Sequence, residues 1–187
     1  MNAYPVLFTE RLVLRVPEAG DLNGFAEFGA DAETMRHLGG VKSRAEVWRQ
    51  LCTLRGAWDI TGYSMFSVLE RESGRWVGRL GPWEPEAWPG KEVGWGVHPD
   101  FAGRGYAFEA TIAAIDYAFD VLGWEDVIHT IAPDNTRSIA LAQRLGSTNR
   151  GQVRLPDPYG DERVDAWGQT AGEWRAARAS RERARQP

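Results

Sequence analysis

The most constraining stretch of the chain covers residues 91–122. Its first part alternates, with Val93, Trp95 and Val97 on one side and Glu92, Gly94, Gly96 and His98 on the other. That period of two predicts a strand with one packed face and one bare face. The last part sets Phe108, Ile112, Ile115, Phe119 and Leu122 at helical spacing, with alanines at 107, 110, 114 and 118 among them. This predicts a helix buried on more than one side. Between them, Gly103 and Gly105 mark a tight turn. A strand passing through a glycine turn into a helix start leaves N–H groups without intrahelical partners, and the helix dipole adds positive potential. Together these make an anion site. The same glycines also suit a plain connection, where they only supply backbone angles.

A chain of 187 residues is expected to form one domain around a single core. The net charge of −4 disfavours nucleic acid as a partner and suits small cationic substrates. Cys52 is the only cysteine, which excludes an intrachain disulfide and a cysteine zinc cluster. It is expected to be buried in a helix. Three scattered histidines form no zinc signature, so no metal is expected. No signal peptide or bilayer-spanning run is read, which predicts a cytoplasmic protein with no membrane partner; a monomer or homodimer is expected.

Taken in order, residues 9–16 read as a strand with Leu12 and Leu14 alternating against Arg11, Val13 and Arg15, ended by Pro17. Residues 18–29 and 32–38 read as short helices. Ser43 with Glu46 forms a capping box that opens a helix with Val47, Leu51, Leu54 and Trp58 on one stripe, closed by Gly62. Residues 63–70 and 75–80 read as a hairpin around a turn at 71–74. The loop over 81–90 holds three prolines, which argue against regular structure, and Trp83, Glu84, Glu86 and Trp88 make it a candidate substrate lip. Residues 126–131 read as a strand and 135–145 as a helix stopped by Gly146. Strands over 148–155 and 163–170 follow. Thr170 and Glu173 cap a last helix whose Arg175, Arg178, Arg181, Arg183 and Arg185 form a solvated face or frayed end. The order predicts an α+β fold, with a right-handed parallel crossover from residue 91 to 131.

Three motifs carry a family resemblance. They are Gly103-Arg104-Gly105-Tyr106-Ala107 with Glu109 and Ala110, the opening Thr9-Glu10-Arg11-Leu12-Val13-Leu14-Arg15, and Asn135 with Ser138, Leu141, Arg144 and Gly146. In this order and spacing the chain resembles the GNAT superfamily of N-acetyltransferases, in particular its ribosomal-protein alanine acetyltransferase (Rim-like) branch. The resemblance spans nearly all of residues 1–187. It implies a mixed, mostly antiparallel sheet of six to seven strands, flanked by helices and splayed between strands 4 and 5. It also implies acetyl-CoA as cofactor and a primary amine, on a protein N-terminus or a small molecule, as acceptor. Coenzyme contacts implied are Val97, Ala102, Gly103, Arg104, Gly105, Tyr106, Ala107, Asn135 and Ser138. Two departures stand out: Ala102 replaces a family Gln or Arg, and Ala142 replaces a tyrosine that serves as general acid.

Acetyl transfer to an amine needs a base, because amines with pKa about 8 or about 10 are largely protonated at neutral pH. Glu92 acting through water is assigned the role, with His98 and Glu84 as competitors. A backbone N–H near Val97 or His98 is to meet the developing oxyanion. Asn135 is to hold the pantetheine arm and also suits a helix N-cap. Ser138 serves the leaving sulfur as acid or by position. Without the tyrosine, a catalytically silent acyl-CoA sensor of the same fold is the alternative.

Overall fold

Alternating leucines start the fold. Leu12 and Leu14 are fully buried in β2 (Leu12–Arg15), which pairs antiparallel with the two-residue strand before it, β1 (Leu7–Phe8). The computed structural model describes residues 4–183. These fall into two compact units. One holds the described residues up to Trp83 together with Val93–Ala114, and the other holds Glu84–Glu92 and those from Ile115 on.

In the first unit β2 pairs antiparallel with β3 (Phe66–Glu70), and β3 with β4 (Trp76–Trp83). The turn at 71–74 joins them, with Gly74 N–H bonded to the Glu70 carbonyl at 2.8 Å. Helices α1 (Leu22–Ala30), α2 (Ala32–Met35) and α3 (Arg44–Thr61) lie between β2 and β3 in sequence. The α3 boundaries match the caps in the sequence: Ser43 and Glu46 form the capping box, and Gly62 closes the helix in a left-handed conformation. Its stripe of Val47, Leu51 and Leu54 packs with Phe25, Phe28, Met35, Met65 and Trp76 into one apolar core. Each such side chain contributes about 1.5–3 kcal/mol by leaving water.

In the second unit Glu92, the first residue of β5 (Glu92–Val97), is the parallel partner of Ile128 on β6 (Asp126–Ile131). The long helix α4 (Tyr106–Asp120) connects the two strands in sequence, as the strand–helix–strand pattern requires. β6 pairs antiparallel along its length with β8 (Val164–Thr170), and β8 with β7 (Thr148–Val153). Asn135 caps α5 (Thr136–Leu145), and Gly146 ends it. The Glu173 carboxylate takes the amide and hydroxyl of Thr170 at 2.8 and 2.9 Å, opening α6 (Ala171–Arg183). The class is α+β, with mostly antiparallel strands and helices beside them.

Several expectations need correction. The described residues hold eight strands, not six or seven, because β1 is too short to show a period of two. β4 runs through Gly81 and Pro82 to Trp83, inside the stretch read as loop. Its last register pair with β3 is Phe66↔Leu80, so no ladder bond on that side is asked of Pro82. Cys52 is exposed. It follows Leu51 and so lies about 100° around α3 from that buried residue. α2 stops at Met35, short of residue 38. Arg178 and Arg175 are not simply solvated: they reach Asp116 at 3.0 Å and Asp120 at 3.2 Å. Arg185 and the side chain of Arg181 lie outside the described residues. Among the described residues no helix is long and apolar enough to cross a membrane.

Candidate active site

β5 stops at Val97 and the chain turns at once. His98 donates its amide to the Val77 carbonyl at 2.8 Å, while its Nδ1 accepts the Asp100 amide at 3.2 Å. This caps a 3-10 turn over Pro99–Phe101. Phe101 is buried beneath it, and Ala102, Gly103, Arg104 and Gly105 stand in solvent. Gly103 and Gly105 have φ of +76° and +80°, a region where a Cβ brings strain. Helical backbone then begins at Tyr106.

The amides of Gly103, Arg104, Gly105, Tyr106 and Ala107 make no hydrogen bond among the described residues. The first helical bond is donated by Glu109, to the Gly105 carbonyl at 3.1 Å. Five consecutive free amides at the head of a long helix form a donor set for an oxyanion. Ala102, expected as a coenzyme contact, does not offer its amide, which is bonded to the Pro99 carbonyl at 3.1 Å. His98's amide is likewise spent on Val77, while the Val97 N–H points the opposite way by strand alternation.

A polar cluster fixes where α4 starts. Glu109 accepts the Thr9 hydroxyl at 2.6 Å, the Arg11 amide at 2.8 Å and Arg11 Nε at 2.7 Å. Tyr106 donates its phenol to Glu70 at 2.5 Å, and this bond raises the phenol's pKa. Burial works to raise the Glu109 carboxyl, but the bonds from Thr9 and Arg11 outweigh it and hold the group below its ordinary value. A depressed carboxyl adds stability above its unfolded value of about 4.3, and that stability is lost as pH falls through the folded value. The melting temperature is therefore expected to drop on acidification below about pH 4.5, and Glu109→Gln to flatten the drop. Equal slopes for the two proteins would contradict the anchor.

The face of β5 expected to be bare is covered as well. Glu92, Gly94, Gly96 and His98 are buried, and on the face expected to be packed Val93 is buried while Trp95 and Val97 are half-buried. A Cβ built on Gly96 would sit 2.7 Å from Phe28 Cζ, so this glycine makes room for α1 rather than for a ligand. His98 has structural partners on both ring nitrogens: Nδ1 accepts from Asp100, and Nε2 lies 3.4 Å from Glu27. Its ring also meets Trp76 and Phe101 edge-on.

In the second unit Glu92 is 6 % exposed. Its carboxylate accepts the Trp88 indole N–H at 2.6 Å, the Thr130 hydroxyl at 2.9 Å and the Thr130 amide at 3.3 Å. Three donors hold it in one orientation and satisfy a group that is costly to bury. Trp88 also meets Tyr159 edge-on, with ring centroids 6.4 Å apart. Glu84 is half-buried in the same loop. Asn135 Oδ1 accepts the Ser138 amide at 3.2 Å, so the asparagine is a helix cap, with its NH₂ group as the remaining donor. Ala142 is fully buried. Thr130 and Trp88 as holders of Glu92, and Arg11 with Glu109 as holders of the turn, were not read from sequence. The only sequence signal for either group is the Glu109 that follows the glycine turn.

An exposed glycine turn thus opens the long helix α4 within an α+β fold. Residues 11–148 match the family described as "Acetyltransferase (GNAT) domain", and the chain belongs to that family of N-acetyltransferases. It is 24% identical over 160 residues to the Uncharacterized N-acetyltransferase YnaD of Bacillus subtilis, covering 85% of this chain and 92% of that one. A crystal structure of an acetyltransferase from Agrobacterium tumefaciens is similar at TM-score 0.79 and 28% identity, over 90% of this chain and 96% of that one. The fold is also that of spermidine N-acetyltransferase from Vibrio cholerae in complex with CoA and spermine, at TM-score 0.71 and 18% identity, over 89% and 99% of the two chains.

Proposed function

We propose that this chain is a single catalytic domain that moves an acetyl group from acetyl-CoA to a primary amine by direct attack. The observation that carries the reading is the run of five amides at 103–107 with no acceptor of their own. These donors fit the diphosphate of coenzyme A, and Arg104 adds a charge beside them. When bound, the coenzyme supplies an activated acetyl thioester. The chain's own part is to bind and orient it and to manage one proton. The Asn135 NH₂ is assigned to the pantetheine amides, Ser138 to positioning the sulfur, and the Val97 N–H to the acetyl oxygen. Glu92 takes the amine's proton through water. His98 is a weaker candidate because both its nitrogens already have partners. The Rim-like branch, with a protein N-terminus as acceptor, rests on the wording of residues 9–15 and 103–107, and the cytoplasm is the location that goes with it. A spermidine acetyltransferase of the same fold and a net charge of −4 support a cationic small amine equally well.

A thiol-release assay with acetyl-CoA across peptides with free N-termini, polyamines, amino acids and aminoglycosides tests this. Release with one class of amine is expected, with Ser138→Ala lowering kcat by about tenfold or less, as fits positioning rather than proton delivery. Tight CoA binding with no release from any class would instead favour the sensor reading, which the buried Ala142 at the acid position supports.

A further inference from the structure

We infer that Arg11 is itself a ligand of the anion held at residues 103–107, an inference that rests on the acetyl-CoA reading above. Arg11 precedes β2, and its side chain crosses to the turn. A guanidinium carries five N–H donors. Nε donates to Glu109 at 2.7 Å, Nη2 lies 2.6 Å from the same carboxylate, and Nη1 donates to the Arg104 carbonyl at 3.0 Å. Those contacts use three donors and leave one on each terminal nitrogen. The guanidinium stacks 4.5 Å over the Tyr106 ring, which fixes its plane. Nη2 lies 3.5 Å from where a Cβ on Gly105 would be, so the guanidinium sits against the glycine turn. The side chain is 44% exposed, which leaves those donors open to an incoming ligand. Arg104 lies 5.1 Å over the Phe101 ring and has no ion-pair partner among the described residues. The turn therefore carries two guanidinium groups, of Arg11 and Arg104, next to five amides. That set suits a multiply charged oxyanion such as a diphosphate ester. Glu109 serves as the tether that aims Arg11.

Calorimetric titration of the full chain with CoA separates this from a purely structural role. Arg11→Ala is expected to weaken CoA binding by about tenfold or more at low salt, with the gap narrowing as salt is raised from about 50 to about 500 mM. Arg11→Lys keeps the charge and is expected to recover part of the affinity. Glu109→Gln, which loosens the tether but leaves the guanidinium in place, is expected to weaken CoA binding by about threefold, less than Arg11→Ala does. Equal losses in Arg11→Ala and Glu109→Gln, or a loss that ignores salt, would overturn the inference. So would CoA binding by Arg11→Ala equal to that of the unaltered chain. If the unaltered chain fails to bind CoA, the donor reading itself falls. Melting temperatures of each variant report whether the turn's surroundings remain folded.

Discussion

Gly105→Val is expected to raise the dissociation constant for CoA by at least about 100-fold while leaving the protein folded. Gly105 sits at φ +80°, and a β-branched residue held there costs about 1–3 kcal/mol. Nothing in the core obstructs the new side chain, since its Cβ would meet only Arg11 Nη2, at 3.5 Å. The strain is relieved by rotating the backbone out of the left-handed region, which redirects the amides of Gly105 and Tyr106. Each charge-assisted bond to a phosphate oxygen is worth about 1.5–3 kcal/mol, so losing two accounts for about a hundredfold or more. Gly105→Ala is expected to fall between the two proteins. Titration calorimetry measures the loss, and a melting temperature within a few degrees of the original shows that the fold persists. An affinity within threefold of the original would mean that the turn does not hold the coenzyme.

Glu92→Gln is expected to lower the maximal rate of thiol release by about 100-fold or more, with CoA affinity within about threefold. Glutamine keeps the size of the side chain and an oxygen for Trp88 or Thr130, but cannot take up a proton. The loss should therefore appear in kcat. Glu92→Ala is less informative. It leaves the Trp88 indole, the Thr130 hydroxyl and the Thr130 amide without their acceptor, at about 1–3 kcal/mol for each donor that water does not reach. Unchanged turnover in Glu92→Gln would leave the carboxylate as a strut between the loop at residue 88 and β6.

The parts of this fold written into local sequence are those whose cause is local. Ser43 with Glu46, Thr170 with Glu173, and Asn135 with Gly146 set helix ends through bonds between residues a few positions apart, and each is visible as a spacing. The glycine turn is of the same kind, since two positive φ angles need two glycines. Side-chain surroundings are not local. Alternation along β5 predicts one bare face, but both are packed, because Phe28, far off in sequence, lies against the glycine side. Glu92 looked like a solvent-facing acid because its partner Thr130 lies 38 positions away. The Arg11–Glu109 tether spans 98 positions and carries no period to read. Cys52 is the reverse case: its residue type is usually buried, but its place beside the Leu51 stripe turns it outward.

The central claim is that unpaired main-chain amides at the head of α4 grip the coenzyme's diphosphate. The most direct measurement is an amide-resolved NMR titration of the ¹⁵N-labelled chain with CoA. The resonances of Gly103, Arg104, Gly105, Tyr106 and Ala107 are expected to move together and saturate with the calorimetric affinity. Saturation of CoA binding with those five resonances unmoved would contradict it.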